Sequence, residues 1–337
     1  MLNKEDEAKK YILQIEQEGL IGRKIMLPAK SKTKQKNNIL FIYGHHSSLE
    51  RWWGLVKVFS SYGNVTVPDL PGFGGMDSFY KIGKKPTIDN LADYLAKFIT
   101  NNFENKQVLI AGMSFGFVIV TRMLQRHPEL TGKVKLLVSV VGFADKKDFT
   151  FSKTRYYLYL VTAKLFTHRP FSTIFRYGLL NSFILSLVYS RTHNAKHKFS
   201  NVNTKAEFDN LMNVEIGLWQ NNDLRTYMFT TTEFLKLNQG SKRVNLKVWH
   251  VAAKADHFFD NKLVEEHMRL TYDDFESFMT NMTTHAPSVI SDEETAAKFY
   301  LSQATNLRKL DRKSDIVPYQ SRRVGEDAAE TDRNKQN

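Results

Sequence analysis

The sequence predicts an α/β fold, in which a mostly parallel, doubly wound sheet carries a helical cap insertion. Short apolar runs alternate with segments of helical spacing up to residue 144, as they do in βαβ units. From residue 145 to 240 no clear strand pattern occurs, and aromatic, basic stretches with helical spacing take its place. The alternation resumes with the apolar run at residues 246–251.

The first half of the sheet can be followed element by element. Apolar runs predict strands at residues 38–43, 65–67, 108–111 and 134–141. Helical spacing predicts helices at residues 49–60 and 117–127. A further helix is predicted to begin at Thr87, whose side chain is expected to cap it. Residues 4–18 place apolar side chains among charges, so we expect an amphipathic helix there that packs on the main body.

These patterns divide the chain into four regions. Residues 1–36 are expected to hold an N-terminal helix and a basic loop, and residues 37–144 with 241–305 to form the core. Residues 145–240 form the cap, and the polar tail at 306–337 is expected to be disordered. Further helices are predicted at 156–166, 171–189, 207–237, 262–270 and 291–301, and strands at 246–251 and 274–282.

Composition narrows the class of protein. Hydrophobic residues make up 42% of 337 positions, enough for a large core, and the absence of cysteine excludes disulfides and thiolate metal sites. The N-terminal segment lacks the apolar region of a signal peptide, and no apolar run approaches the ~20 residues of a membrane span, so we expect a cytoplasmic location. The formal charge of +13 either attracts an anionic partner or serves solubility. We expect no nucleic-acid partner, because no such module is recognisable.

The sequence Gly112-Met113-Ser114-Phe115-Gly116 stands between a predicted strand and a predicted helix. This is the context of a nucleophile elbow, in which a serine occupies a strained turn and exposes its hydroxyl. The glycines on either side remove Cβ atoms that would clash with the strand and helix. The helix also directs its positive end towards the turn. Ser114 is therefore the candidate nucleophile.

A serine nucleophile needs a base to take its proton and an acid to orient that base. In the chain order Ser, Asp, His, the acid follows the strand after the insertion and the histidine follows the last strand. Asp256 and His285 occupy those positions. Asp145, after the preceding strand, and Asp260 remain alternative acids.

With these residues the chain resembles the α/β-hydrolase superfamily, specifically its capped, esterase-like branch with a serine nucleophile. The resemblance covers about residues 37–303 and rests on Y-G-H-H (43–46), D-L-P-G-F-G (69–74), G-M-S-F-G (112–116), K-A-D-H-F-F (254–259) and T-H-A-P-S (284–288). It implies Ser114 as nucleophile, Asp256 as acid and His285 as base, with the backbone N–H groups of His45 and Phe115 as an oxyanion hole. Two positions depart from the family pattern, where Tyr43 replaces a histidine and Ala253 replaces a glycine.

Other residues are candidates for the substrate pocket. His46, Met113 and His257 adjoin the predicted catalytic residues, although His45 and His46 are equally explained as loop residues. His193 and His197 have the spacing of metal ligands but lack a supporting carboxylate pattern. We therefore predict neither a metal nor a cofactor.

The function predicted from these features is metal-free hydrolysis of an ester or related acyl bond in a small, partly apolar molecule. Carbon–carbon bond hydrolysis, acyl transfer and a non-catalytic binding role stay open as alternatives. The aromatic and basic cap is either a lid with an aromatic underside and a solvated, cationic top, or a face that contacts an anionic membrane or an acyl substrate. The oligomeric state cannot be read from the sequence.

Overall fold

The computed structural model describes residues 7–180, 184, 205–280, 285 and 296. Its strands are β1 (Ile12–Gln17), β2 (Leu20–Leu27), β3 (Asn38–Ile42), β4 (Asn64–Pro68), β5 (Val108–Met113), β6 (Val134–Val140), β7 (Val244–Ala253) and β8 (Tyr272–Thr280). Its α-helices are α1 (Trp53–Phe59), α2 (Ile88–Asn102), α3 (Phe115–Arg126), α4 (Lys153–Phe166), α5 (Arg169–Ile174), α6 (Lys205–Asn221), α7 (Leu224–Phe234) and α8 (Asn261–Thr271).

These strands form one sheet in the order β1-β2-β4-β3-β5-β6-β7-β8. The pairs β1–β2 and β2–β4 are antiparallel, and every other neighbouring pair is parallel. The prediction of a mostly parallel sheet is confirmed. The carboxyl ends of β3, β5 and β7 lie at one edge, where ligands bind in open α/β sheets.

The N-terminal helix predicted at residues 4–18 is wrong. Of the described residues from 7 to 18, only 7–9 form a helical turn, and β1 then pairs with β2 as a hairpin. Glu18 and Gly19 both have positive φ, +56° and +75°, and Gln17 pairs with Leu20 across this two-residue turn. Such a turn matches the twist of the strands and needs a residue like glycine. The turn therefore outweighs the weak helical spacing of the apolar residues that begin at Tyr11.

The helix predicted at residues 207–237 is also wrong in its extent, because it is two helices. Asp223 caps α7 by accepting a hydrogen bond from the Thr226 N–H at 2.7 Å, and this cap interrupts the chain after α6. By contrast, Thr87 caps α2 as predicted and accepts from the Asn90 N–H at 3.1 Å.

Several predicted segments lie outside the described residues. These are residues 181–183 and 185–189 of the helix predicted at 171–189, the closing helix at 291–301 except residue 296, and the tail at 306–337. In its described part, the predicted cap contains α4, α5, α6 and α7, with a π-helical turn at Phe175–Leu179. The division into core and cap stays a prediction.

Tyr43, the unexpected residue before Gly44, joins a buried polar network. Its hydroxyl donates to Asp69 Oδ1 at 2.6 Å, and Arg23 Nε on β2 donates to Asp69 Oδ2 at 3.1 Å. Burial raises the pKa of Asp69 to about 8, although Arg23 and Tyr43 both act to lower it. The network connects β2 to the loops that follow β3 and β4. Tyr43 therefore has a structural role, as the hydrogen-bond partner of Asp69.

His250 lies on β7 and is buried in the core. Its Nδ1 is 2.9 Å from the Ser139 hydroxyl on β6, and the side chain is buried. Burial lowers the pKa of His250 to about 4, with smaller opposing effects from Glu265 and Asp256. The folded protein therefore holds this ring neutral at pH values where the unfolded chain protonates it.

We expect the free energy of unfolding to fall as the pH is lowered from about 6.5 towards about 4, because only the unfolded chain then gains the proton. Above pH 6.5 His250 makes its full contribution to the free energy of unfolding. Below pH 6.5 this contribution decreases by at most about 1.4 kcal/mol per pH unit. Urea unfolding at several pH values should show a smaller slope for His250→Asn than for the wild type. Equal slopes would contradict this role.

Candidate active site

Ser114 lies on a tight turn between β5 and α3. Its backbone has φ +48° and ψ −118°, a conformation that residues other than glycine rarely adopt. The Ser114 N–H donates to the Val140 carbonyl oxygen on β6 at 2.9 Å, which ties the turn to the neighbouring strand. The strained turn places the serine at the carboxyl edge of the sheet and at the N-terminal end of α3.

Close backbone contacts explain why glycine stands two residues before and two residues after Ser114. A Cβ atom on Gly116 would lie 2.3 Å from the Ile42 carbonyl oxygen on β3. A Cβ atom on Gly112 would lie 2.7 Å from Phe117 Cα on α3. Both distances are shorter than real Cβ contacts, so any larger residue would displace β3 or α3 from the turn.

His285 bridges the other two residues predicted to be catalytic. Its Nε2 lies 3.0 Å from Ser114 Oγ, and its Nδ1 lies 2.6 Å from Asp256 Oδ2. The three side chains are far apart in sequence and meet beyond the carboxyl edge of the sheet. Because Asp256 can only accept when ionised, Nδ1 carries the ring hydrogen and Nε2 is left to accept from the serine.

Asp256 is held in the ionised form. Its Oδ1 accepts from the Phe258 and Phe259 N–H groups at 2.8 and 3.2 Å, and its side chain is 2% exposed. Burial acts to raise the pKa of Asp256. The hydrogen bond and charge of His285, followed by the two amides, outweigh this effect and hold the pKa below its usual range.

Solved structures share this architecture, although no protein-family model and no curated protein matches the sequence. A putative lipase from Acinetobacter baumannii has a TM-score of 0.64 at 15% identity, over 93% of this chain and 97% of its own. A thermophilic esterase from Thermogutta terrifontis has a TM-score of 0.58 at 13% identity, over 90% and 98%. An epoxide hydrolase variant from Bacillus megaterium has a TM-score of 0.60 at 13% identity, over 89% and 99%. This chain has the α/β-hydrolase fold.

In this α/β-hydrolase fold, the loop after β3 lies against the elbow. A Cβ atom on Gly44 would be 3.4 Å from Ser114 Cβ, so the two loops are in van der Waals contact. Among the described residues, the N–H groups of His45 and Phe115 have no hydrogen-bond acceptor. Of the two predicted oxyanion-hole residues, Phe115 therefore begins α3 directly after Ser114, and His45 lies on the adjoining loop after β3.

The side chain of His45 is held by α7, which belongs to the predicted cap. Its Nε2 is 2.8 Å from Thr230 Oγ1, and its ring stacks on Tyr227 with a centroid distance of 4.2 Å. Thr230 Oγ1 also lies 2.8 Å from the Thr226 carbonyl oxygen, to which it donates its single hydrogen. Thr230 must then accept from His45, which places the ring hydrogen on Nε2.

Burial lowers the pKa of His45 to about 3, helped by the neighbouring His46. The ring is therefore neutral near pH 7. Thr230 was not identified from the sequence, because its partner His45 is 185 residues away and no local sequence pattern predicts the contact.

The three other predicted pocket residues have different surroundings. His46 packs on Trp219 of α6 at a centroid distance of 4.3 Å, and His257 lies 4.1 Å from the ring of Phe258. Met113 is buried directly before Ser114. His46 thus packs against α6, whereas His257 lies beside Phe258, whose ring contacts His285.

A continuous set of aromatic rings surrounds the catalytic residues. Phe259 and Phe258 contact His285 at centroid distances of 5.1 and 5.4 Å, and Phe115 contacts His45 at 5.2 Å. Rings of the core and of α7 connect these two ends, and they are Phe143, Phe149, Phe151 and Phe234. The surroundings of Ser114 are therefore mainly apolar.

A second Asp–His pair supports the loop that carries Asp256. The buried Asp148 carboxylate accepts from the Ala144 and Asp145 N–H groups and from His267 Nδ1 on α8. The Asp148 carbonyl oxygen accepts from the Asp260 N–H at 2.8 Å. Burial raises the pKa of Asp148 despite these hydrogen bonds. Neither Asp148 nor His267 was singled out from the sequence.

The alternative acids have structural roles. Asp145 caps the short helix that follows it and accepts from the Lys147 N–H at 2.8 Å. Asp260 caps α8 by accepting from the Lys262 N–H at 2.9 Å. Both carboxylates are thus engaged away from His285, and Asp256 is the acid that contacts it.

The described part of the chain contains no group of three or more His, Asp or Glu side chains that could hold a metal ion. Among the helices described, none is long and apolar enough to cross a membrane. His193 and His197 lie outside the described residues.

We expect Gly116→Ala to destabilise the protein by about 1–3 kcal/mol or more, because its Cβ atom would overlap the backbone of β3. Gly132→Ala is the matched control, since a Cβ atom there has no neighbour within 4 Å. Thermal unfolding followed by circular dichroism should show a clear decrease in Tm for Gly116→Ala alone. Equal melting temperatures would show that the elbow tolerates a side chain.

Proposed function

We propose that this protein is a metal-free serine hydrolase that cleaves an ester or related acyl bond of a small, partly apolar substrate. The observation that carries the proposal is the contact of His285 with both Ser114 and Asp256. A serine with a neutral imidazole acceptor and a buried, ionised carboxylate behind it is equipped for nucleophilic attack.

In the first half of the reaction, Ser114 Oγ attacks the substrate carbonyl carbon while His285 Nε2 takes the hydroxyl proton. The imidazolium that results lies beside Asp256, whose lowered pKa keeps it ionised. His285 then gives the proton to the leaving alcohol oxygen as the bond to the acyl carbon breaks. The acyl group remains on Ser114.

In the second half, water replaces the alcohol. His285 Nε2 removes a proton from the water, whose oxygen attacks the acyl carbon. When the bond to Ser114 breaks, the proton returns to the serine oxygen and the carboxylic acid leaves. The enzyme is thereby regenerated, and one water molecule is consumed for each acyl bond cleaved.

The oxyanion formed in each half would be stabilised by the N–H groups of His45 and Phe115. His45 belongs to the loop after β3 and Phe115 is the first residue of α3, whose N-terminal end adds a favourable potential. The Thr230 hydrogen bond holds the His45 side chain, so we assign Thr230 a positioning role for this oxyanion hole. A preorganised donor of this kind is typically worth ~10²–10³ in rate.

The aromatic surroundings of Ser114 favour an apolar acyl or alcohol group next to the scissile bond. Half-buried rings such as Phe149 and Phe234 offer apolar faces for such a group. Some solved structures with this fold are esterases and lipases, and the proposal takes its reaction class partly from that likeness. Ser114 favours ester hydrolysis over epoxide hydrolysis, because the epoxide-hydrolase branch that this fold resembles has a carboxylate nucleophile at this position.

We expect the wild type to hydrolyse p-nitrophenyl esters and Ser114→Ala to lose this activity by a factor of roughly 10⁴ or more. Ser60→Ala is a matched control, because Ser60 is buried and its hydroxyl donates to the Lys57 carbonyl oxygen, away from the site. The rates over a series of acyl lengths would define the size of the acyl group accepted. If both variants equalled the wild type, Ser114 would not be the nucleophile.

Covalent labelling by a fluorophosphonate tests the alternative that the triad is unused. An activated serine should react in the wild type and not in Ser114→Ala. A wild-type protein that neither reacts nor hydrolyses esters would favour a non-catalytic binding protein over an enzyme.

We expect Thr230→Val to lower kcat about tenfold to a hundredfold with little change in KM, because the interaction it supports is made in the transition state. Thr230→Ser keeps the hydroxyl and should restore most of the rate. Thr232→Val on the same helix is the control, since Thr232 bonds only to the Phe229 carbonyl oxygen. A uniform loss in all three variants would indicate a merely structural effect.

A further inference from the structure

The cap helices α4 and α5 expose an unusual amount of apolar surface. Seven of the twelve exposed large hydrophobic side chains among the described residues lie on residues 157–177, and they are 42–81% exposed. They are Tyr157, Leu158, Val161, Leu165, Phe171, Ile174 and Tyr177. Exposed apolar side chains scattered singly are ordinary, but a concentration of this kind marks an interaction site.

On α4 these side chains form one face. Tyr157, Leu158, Val161 and Leu165 fall within an arc of about 100° around the helix axis. Ala163, which is buried, lies on the opposite side and faces the protein. The apolar face of α4 therefore points away from the protein.

The same segment carries only positive charge. The sequence from residue 149 to 206 contains nine Lys and Arg residues and no Asp or Glu. Lys153, Lys164 and Arg169 are exposed and have no ion-pair partner in the described part of the chain. On the helix wheel Lys153 and Lys164 border the apolar arc directly.

We propose that this α4–α5 face docks the protein on the surface of an anionic lipid bilayer. Apolar side chains bordered by lysines, with tyrosines at the margin, combine burial in the acyl region with attraction to anionic headgroups. A second copy of the chain fits this face poorly. In a twofold symmetric contact the cations would meet the same cations, and the segment has no acid to pair with them.

The test is sedimentation of the full-length protein with vesicles of phosphatidylcholine alone or mixed with phosphatidylglycerol. We expect binding to the mixed vesicles in about 0.1 M salt and a large loss of binding in about 1 M salt. Val161→Glu should weaken binding by roughly tenfold or more, because it places a charge on the face that enters the bilayer. Leu270→Glu is the matched control, since Leu270 is 58% exposed on α8, outside this face.

The charges are tested separately. Lys164→Glu should weaken binding about fivefold or more, because a lysine near an anionic surface contributes about that factor. Lys106→Glu makes the same change in net charge on an exposed loop elsewhere and should leave binding unchanged. Circular dichroism melts of all four variants establish that each is folded.

Three results would overturn the proposal. They are absence of binding to the mixed vesicles, equal binding to neutral vesicles irrespective of salt, and equal effects of Val161→Glu and Leu270→Glu. A lipid-free dimer that Val161→Glu converts to a monomer would assign the face to a second copy. Because none of these measurements involves turnover, their outcome is independent of the proposed hydrolase activity.

Discussion

The steric constraint at the elbow determines the arrangement of the site. Ser114 has a positive φ, and β3 and α3 both approach its turn so closely that no Cβ atom fits at Gly112 or Gly116. β5 lies between β3 and β6, and the loop after β3 is in contact with the serine. A serine in a relaxed turn would be further from both the His45 loop and the helix N-terminus.

The titratable groups around this turn are held in different charge states by their surroundings. Asp256 is buried but stays ionised, since His285 and two backbone amides stabilise its charge. His45 and His250 are held neutral by burial, and neither contacts Ser114. The imidazole of His285 contacts both Ser114 and Asp256, and the proposed mechanism assigns it the proton transfer.

Much of the fold was predictable because the signals are local. The alternation of apolar runs and helical segments identified β3, β5, β6 and the helices α2 and α3, and the glycines around Ser114 identified the elbow. Asp256 and His285 followed from chain order alone, and the structure brings both to Ser114, although their catalytic roles stay proposals. The failures have physical causes as well. A two-residue turn at Glu18 and Gly19 outweighed helical spacing, and the Asp223 cap divided one apparent helix into two.

The contacts that support the site could not be predicted in this way. Thr230 meets His45 across 185 residues, and His267 meets Asp148 across 119. Each pair depends on how the chain packs, and threonine and histidine are common on helices that lie far from any active site. Only the folded arrangement separates Thr230 and His267 from ordinary surface or core residues.

The attachment of α7 to the core has a consequence for engineering. The Asn222 side chain accepts from the Gly74 N–H, the Asp223 N–H donates to the Gly72 carbonyl oxygen, and Thr230 holds His45. A chimaera that replaced the whole insertion between β6 and β7 would lose these contacts together with the old specificity. The exchangeable part of the segment between β6 and β7 therefore ends before residue 221, and α7 has to be kept with the sheet.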